Sequence, residues 1–306
     1  MDFIILTIGL AMLVGGAESV VRGSVSLGKK LKISLFAIGV VVVAAGTSLP
    51  ELANCVRAVV SNHPDIATGD IIGSNIANII LVMGATALLC PIRKITQNQV
   101  NQAAINVTIA LGLIMMSLLV MQFNPVFGVV SLILLTLIMV YQIKIGSLNF
   151  SDIEEKGEYS MFISVVLIFI GILLLVYGSK FFVNGAVNIA TTYGIPESVI
   201  GVSLVAFGTS LPELAVGVLS AVRKKVDFAL GNVLGSNIYN VLGVLGVSSF
   251  FGRFEFPPHI ASFDLYIMTG VIIFITFYMV AMKKLGRLYG IISLLVYTSY
   301  IGYMYI

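Results

Sequence analysis

The sequence predicts an all-α polytopic membrane protein with ten transmembrane helices arranged as two inverted five-helix repeats. Three observations lead to this fold class: the composition, a series of apolar stretches and an internal duplication. Of the 306 residues, 58% are hydrophobic and only 10% are charged, and the mean hydropathy is +1.07. Such a chain has too few polar residues to cover a water-soluble surface, so lipid must surround most of it.

The apolar stretches set the number of predicted spans. A helix needs about 20 mainly apolar residues to cross a bilayer. The chain has ten such stretches, at 2–22, 33–57, 68–91, 101–122, 126–144, 161–183, 196–221, 228–250, 262–281 and 287–305. The first repeat is therefore predicted over 1–145 and the second over 160–306, with the polar segment 146–159 as a cytoplasmic linker between them.

The basic residues predict how the chain is oriented. If the chain begins outside, all but three of its 17 Lys and Arg residues fall in or beside loops that face the cytoplasm; the exceptions are Arg57, Lys180 and Arg253. This bias follows the positive-inside rule. It predicts a multi-pass protein of the cell membrane with both termini extracytoplasmic, and it explains the basic clusters without nucleic-acid binding.

An internal duplication with a fixed offset relates the two halves. The segment Gly-Thr-Ser-Leu-Pro-Glu at 46–51 recurs at 208–213, and Gly-Ser-Asn-Ile at 73–76 recurs at 235–238, so each copy is displaced by 162 positions. Because each repeat holds an odd number of spans, the second copy enters the membrane from the opposite side. In transporters with inverted repeats, ion sites lie near the midplane on helices interrupted by Gly or Pro.

Each repeat carries one acidic residue deep in an apolar stretch, Glu51 in the first and Glu213 in the second. An acid at mid-bilayer costs roughly 2.5–3.5 kcal/mol on insertion scales, so such residues are usually functional. No Lys or Arg lies at a matching depth in any stretch. Two carboxylates near a pseudo-twofold axis repel each other unless a cation or a proton lies between them. The pair therefore predicts a shared cation site.

Oxygen-bearing side chains accompany both glutamates. Thr47 and Ser48 lie four and three positions before Glu51 and share its helix face, and Ser74 and Asn78 share one face of the next helix. The same residue types recur in the second repeat as Thr209, Ser210, Ser236 and Asn240. Ca2+ takes about 6–8 oxygen ligands in flexible geometry, so the set suits Ca2+ or Na+. The alternative is packing of small and polar residues between membrane helices.

Two prolines are expected to add backbone oxygens to this set. Pro50 and Pro212 cannot donate a hydrogen bond to the carbonyl four residues earlier, at Gly46 and Gly208. Irregular backbone at membrane depth is tolerated where it lines a cavity, so we expect a break in each helix and carbonyl oxygens near the ions. Neither motif contains His or Cys, so a zinc or copper site is not expected.

Four further polar residues accompany the motifs. Asn75 and Asn237 are either helix-packing amides or partners of the ligands. Asp70 and Asn232 lie at the predicted starts of helices, where we expect them to act as caps.

Two charged residues and two further function classes complete the analysis. Glu18 and Lys180 occupy matching positions with opposite charge and are expected to be interfacial anchors without a transport role. The sequence has no Ser/His/Asp or metal-hydrolase arrangement, so we expect neither an enzyme nor a bound cofactor. A cation channel is the other alternative, and paired inverted motifs favour a carrier over a pore.

The doubled motifs resemble the two alpha repeats of the sodium/calcium exchanger family, within the cation/calcium exchanger superfamily, and the chain resembles its small prokaryotic members. The resemblance implies antiport by alternating access, in which Na+ moving down its gradient drives Ca2+ transport and the first and sixth spans slide as gates. It also implies a set of ion ligands. These are Thr47, Ser48, Glu51, Ser74, Asn78, Thr209, Ser210, Glu213, Ser236 and Asn240, with the backbone carbonyls of Ala44 and Ala206.

Two departures bear on which ions are exchanged. Some relatives, including potassium-dependent ones, have Asp where this chain has Asn240, so the resemblance argues less for potassium transport. Calcium/proton exchangers carry Gly-Asn where this chain has Gly-Thr at 46–47 and 208–209, which counts against proton coupling. A Ca2+/H+ exchanger, or an exchanger of another divalent cation, is the alternative.

Overall fold

The fold is described by a computed structural model that covers residues 2–150, 159–194 and 206–303. It is built of helices, which we number in chain order. They are α1 (Asp2–Leu31), α2 (Leu35–Thr47), α3 (Leu49–Val60), α4 (Pro64–Leu89), α5 (Gln97–Leu118), α6 (Pro125–Leu148), α7 (Met161–Thr192), α8 (Ala206–Thr209), α9 (Leu211–Val222), α10 (Val226–Ser248), α11 (Ile260–Met282) and α12 (Arg287–Tyr303).

Seven of the described helices, α1, α4, α5, α6, α7, α10 and α11, are long and apolar enough to cross a membrane. The bent pair of α2 and α3 would make an eighth span. A helix lies in each of the ten predicted stretches, although part of the seventh stretch falls outside the described residues. Helix α12 has 17 residues, Arg287–Tyr303, in the described part of the chain and is not among these candidates. The multi-pass architecture is therefore confirmed, and the count of ten spans stays a prediction.

Several helices run past their apolar stretches. Helix α1 continues to Leu31 and α7 to Thr192, where the sequence predicted ends at 22 and 183. The last turn of α1 contains Lys29 and Lys30, whose charges interact favourably with a helix C-terminus. Helix α6 likewise extends to Leu148, so the predicted linker at 146–159 begins inside a helix; most of it, 151–158, lies outside the described residues.

Glycines hold α1 and α7 together. Every seventh residue of the contact is glycine in both helices: 9, 16 and 23 in α1, and 171, 178 and 185 in α7. A methyl group at Gly16 would lie 2.8 Å from the carbonyl oxygen of Gly171, and one at Gly171 would lie 2.8 Å from that of Gly16. Small residues allow membrane helices to approach this closely. The two glycine rows match under the 162-residue offset, so the duplication extends to this helix pair.

Helices α4 and α10 occupy the centre of the molecule. Within their apolar windows 78% and 89% of the residues are buried, whereas the other five candidate spans bury only 28–33%. The outer helices therefore present apolar side chains to their surroundings, as expected in lipid. The two central helices carry the second motif of each repeat, so the duplicated sequence lies in the interior.

The helices break next to the glutamates. The backbone of Ser48, between α2 and α3, leaves the helical conformation at φ −81° and ψ 7°, and Ser210 repeats this between α8 and α9 at φ −84° and ψ 2°. Helices α2 and α3 meet at a bend of 41°. Pro50 and Pro212 follow each break at the start of the next helix, where the missing N–H costs nothing. The predicted breaks are thus present.

Candidate cation site

Each glutamate sits in the first turn of the helix that restarts after a break. Glu51 is the third residue of α3 and Glu213 the third of α9, and both are 0% exposed. The N-terminus of a helix favours a negative charge. The two carboxyl groups also lie close enough to interact electrostatically. The structure therefore brings the two predicted acids to one buried place.

Two hydroxyl contacts connect the repeats, and each has its counterpart. Thr47 Oγ1 lies 3.3 Å from Ser236 Oγ. Thr209 Oγ1 lies 3.3 Å from Ser74 Oγ, which is the same contact with the repeats exchanged. The first motif of one repeat therefore meets the second motif of the other. Ser236 Oγ is in turn 3.4 Å from Glu213 Oε1, so the hydroxyls extend to a carboxylate.

The backbone carbonyls near the breaks are partly occupied. The carbonyl of Ala44 accepts a hydrogen bond from Ser48 N at 3.1 Å and one from Thr47 Oγ1 at 3.5 Å. Its predicted counterpart Ala206 is the first residue of α8. The carbonyl of Gly208, which Pro212 leaves without a helical partner, accepts a hydrogen bond from Ser179 Oγ at 2.5 Å. Both predicted carbonyl positions, Ala44 and Ala206, thus lie four residues before a break.

Four asparagines form a second symmetric set at the centre. Asn78 Nδ2 donates to Asn237 Oδ1 at 3.0 Å, and Asn240 Nδ2 donates to Asn75 Oδ1 at 3.1 Å. Asn237 Nδ2 donates to the carbonyl of Asn75 at 3.3 Å. Asn75 and Asn237 therefore accept hydrogen bonds from the amides of Asn240 and Asn78 and join α4 to α10, which fits both of their predicted roles. The side-chain oxygens of Asn78 and Asn240 are left without a donor.

Buried oxygens without hydrogen-bond partners concentrate in this region. A buried polar atom normally has a partner, and leaving it without one costs about 1–3 kcal/mol. The unpartnered oxygens of the predicted ligands are Ser48 Oγ, Glu51 Oε1 and Oε2, Asn78 Oδ1, Ser210 Oγ, Glu213 Oε2 and Asn240 Oδ1. They are carboxylate, hydroxyl and amide oxygens. An arrangement of this kind provides the ligands of a hard cation such as Na+ or Ca2+.

The electrostatics of the site also favour cations. Among the described side chains, those that are buried include no Lys, Arg or His to offset the two glutamates. The described residues contain no group of three or more His, Cys, Asp and Glu placed to hold a metal. Neutral oxygens must therefore supply most of the ligands.

The predicted capping role of Asp70 and Asn232 is wrong. Helix α4 begins at Pro64 and α10 at Val226, so both residues lie inside helices. Their side chains bind the threonines of the opposite repeat. Thr209 Oγ1 donates to Asp70 Oδ1 at 3.1 Å, and Thr47 Oγ1 donates to Asn232 Oδ1 at 3.3 Å.

Sequence reasoning also missed Ser179, the hydroxyl on α7 that binds the Gly208 carbonyl. Its matching position in the first repeat is Ala17, which has no hydroxyl. The available signal was that the second repeat has a serine at a position where the first repeat has an alanine. A cavity of about 540 Å³, lined in part by Thr96, Gln99 and Asp227, contains none of the predicted ligands.

The two sides of the site are covered unequally. Leu211, at the start of α9, is 6% exposed because α1 packs over it. Its counterpart Leu49, at the start of α3, is 46% exposed, and α7 makes no comparable packing against α3 in the part of the chain that the structure describes. Helix α1 therefore covers the start of α9, whereas the start of α3 is left exposed, although both glutamates are buried.

Comparisons with known proteins agree with this architecture. The family model described as "Sodium/calcium exchanger protein" matches residues 1–144 and 163–306. Membrane protein MJ0091 of Methanocaldococcus jannaschii is 36% identical over 293 residues, which cover 95% of this chain and 93% of the relative. Sodium/calcium exchanger MaX1 of Methanosarcina acetivorans is 29% identical over 353 residues, which cover 98% and 97%.

A solved structure extends the similarity to three dimensions. The sodium-calcium exchanger NCX_Mj, soaked with 10 mM Na+ and zero Ca2+, superposes on this chain with a TM-score of 0.87. The two sequences are 33% identical, and the match covers 98% of each chain. The two proteins are therefore similar in both sequence and fold over nearly their whole lengths.

Proposed function

Because this chain belongs to the sodium/calcium exchanger family, whose members are transporters and not enzymes, we propose that it exchanges Na+ for Ca2+ across a membrane. We place both ions at the buried site of Glu51 and Glu213. The observation that carries this assignment is the set of buried oxygens, shared between the two repeats, that have no hydrogen-bond partner. A divalent cation or two monovalent cations would balance the two carboxylates.

The proposed mechanism is competition for shared ligands. Ca2+ bound between Glu51 and Glu213 uses the oxygens that Na+ needs, so the two loads exclude each other. Thr47, Ser48, Ser74 and Asn78, with the matching residues of the second repeat, would complete the coordination. Those residues are Thr209, Ser210, Ser236 and Asn240. The empty site would carry uncompensated buried charges, which are costly, so only a loaded carrier is expected to change its access.

The inverted repeat provides a path for this change. We propose ten spans, five in each repeat, with the second repeat inserted in the opposite direction. Contacts that recur when the repeats are exchanged, such as Thr47 with Ser236 and Thr209 with Ser74, support a twofold relation. We take the unequal covering of Leu49 and Leu211 as one of two access states. In the other state, α7 would cover Leu49 and α1 would uncover Leu211.

Transport by the purified protein in lipid vesicles tests the proposed function. Vesicles loaded with Na+ and diluted into choline should take up labelled Ca2+, and collapsing the Na+ gradient with a sodium ionophore should stop the uptake. If uptake persists without the Na+ gradient and follows a pH gradient, the ion that drives Ca2+ transport is H+ and not Na+. Single-channel current steps in planar bilayers would contradict a carrier.

A further inference from the structure

A third acid, Asp70, breaks the symmetry of the site, and nothing in the mechanism above uses it. The side chain of Asp70 belongs to a chain of three oxygen-bearing groups. Its Oδ1 lies 3.1 Å from Thr209 Oγ1, which lies 3.3 Å from Ser74 Oγ. Asp70 and Ser74 are four positions apart on α4 and share a face. Asp70 Oδ2 is buried and has no hydrogen-bond partner.

The second repeat contains the same arrangement with one atom changed. Asn232 Oδ1 lies 3.3 Å from Thr47 Oγ1, which lies 3.3 Å from Ser236 Oγ. Where Asp70 has the unpartnered Oδ2, Asn232 has the unpartnered Nδ2. A carboxylate oxygen attracts a cation, whereas an amide N–H2 group only donates hydrogen bonds and repels it. The same arrangement of side chains therefore occurs in both repeats, but only the copy that contains Asp70 carries a negative charge.

The charge of Asp70 needs a counter-ion. The charge of Asp70 acts on both glutamates, so a third acid borders their site. The buried side chains among the described residues provide no base to balance them. Ca2+ between the two glutamates would leave the third negative charge uncompensated. A single carboxylate flanked by neutral hydroxyls matches the charge of a monovalent cation.

We propose that Asp70, with Thr209 and Ser74, binds a monovalent cation, Na+, beside the position shared by the two glutamates and on the first repeat's side only. This proposal rests on the proposed function for the identity of the ion. It adds one Na+ to the load that balances Glu51 and Glu213. It also makes the two sides of the site unequal, although the residues around them are duplicated.

Sodium binding to the detergent-purified protein tests the proposal without transport. Na+ that binds only the folded protein raises its melting temperature, and choline serves as the comparison salt. Asp70→Asn, which copies the second repeat, should raise the Na+ concentration for half-maximal stabilisation about tenfold, the loss expected for one charged contact. The control is Asp65→Asn, an exposed acid on the same helix, which should leave the titration unchanged.

Moving the acid tests the geometry itself. In the double variant Asp70→Asn with Asn232→Asp, the carboxylate faces Thr47 and Ser236, and Na+ binding should return to within about threefold of the wild type. A size-exclusion profile like that of the wild type would show that the variants are folded. Unchanged Na+ titration in Asp70→Asn, or no recovery in the folded double variant, would overturn the proposal.

The charge moved per cycle separates this proposal from the proposed function. In vesicles with a clamped membrane potential, Asp70→Asn should shift the reversal potential to that of a cycle with about one Na+ fewer per Ca2+. If the wild type exchanges Na+ for Ca2+ and the variant keeps the wild-type reversal potential, the proposed Na+ site at Asp70 is wrong and the proposed exchange function is retained. If Na+ stabilises the wild type through Asp70 but a Na+ gradient drives no Ca2+ uptake, the proposed exchange function is wrong and the proposed Na+ site at Asp70 is retained.

Discussion

The carboxylate of Glu18 binds the guanidinium of Arg223 through two hydrogen bonds, at 2.5 Å between Nη2 and Oε1 and 3.2 Å between Nε and Oε2. This ion pair ties α1 to the end of α9. Under the 162-residue offset, Glu18 matches Lys180 and Arg223 matches Ser61, and these two residues cannot form an ion pair. Lys180 instead lies 5.7 Å from the centre of the Tyr177 ring. The contact therefore exists once in a fold whose motifs are doubled.

The ion pair predicts an effect on access. We expect Arg223→Ala to increase the population in which α1 leaves α9, by up to about fivefold, because exposed ion pairs contribute about 0–1 kcal/mol. The measurement is modification of Leu211→Cys by a membrane-impermeant maleimide, with Cys55 and Cys90 replaced by Ser. Leu49→Cys should react readily in the wild type and less readily in the Arg223 variant.

A matched control is available for this experiment. Arg22 also binds Glu18, with Nε 2.6 Å from Oε1, but both residues lie on α1. Arg22→Ala therefore removes a similar contact without untying α1 from α9, and we expect unchanged labelling. Equal labelling of Leu211→Cys in the Arg22 and Arg223 variants would contradict the role given to the pair.

The glutamates give the most direct prediction for transport. Glu51→Gln and Glu213→Gln should each reduce Na+-driven Ca2+ uptake at least about 30-fold, since removing one partner of a buried charged interaction costs about 2–5 kcal/mol. Initial rates of labelled Ca2+ uptake in vesicles measure this. Glu255→Gln removes an exposed acid and should transport normally. Normal turnover in either glutamate variant would exclude that residue from the site.

The sequence predicted the centre of the site because the duplication marked it. Two copies of one motif, each with a buried acid and a proline, were enough to anticipate that Glu51 and Glu213 lie near each other and that a helix breaks beside each of them. The position of Asp70 was misjudged because helix α4 begins at Pro64, well before the apolar stretch. An apolar pattern locates the part of a helix that lies in lipid, not its first residue.

The unequal covering of the two sides could not be predicted from the motifs. Leu49 and Leu211 are the same residue in the same motif, and their different exposure depends on where α1 and α7 lie. Two copies of one motif are compatible with either side being covered. Only contacts that occur once, such as Glu18 with Arg223, distinguish the sides.

The asparagines at the centre predict an effect on ion affinity. In Asn237→Ala the Asn78 amide loses its acceptor and is free to turn its oxygen away from the site. We expect the Ca2+ concentration for half-maximal uptake to rise about tenfold, since a lost buried hydrogen bond costs about 1–3 kcal/mol. The control Asn101→Ala changes an exposed amide on α5. An unchanged half-maximal concentration would contradict the role of Asn237 as a positioning residue.

The glycine contact predicts an effect on stability. A Cβ at Gly16 would meet the backbone of α7, whereas a Cβ at the neighbouring Gly15 would meet nothing within 4 Å. Gly16→Ala should therefore destabilise the protein by about 1–3 kcal/mol, as overpacking does. Gly15→Ala should be neutral. Thermal unfolding in detergent compares the two variants, and equal melting temperatures would contradict the close packing of α1 on α7.

The four central asparagines have a mechanical consequence. Their hydrogen bonds join α4 to α10, and the pairs Asn78–Asn237 and Asn240–Asn75 are converted into each other when the repeats exchange roles. A movement that opens one face and shuts the other can therefore leave both pairs intact. The inner helices can serve as a stationary pivot, and the travelling part can be the glycine-joined pair of α1 and α7.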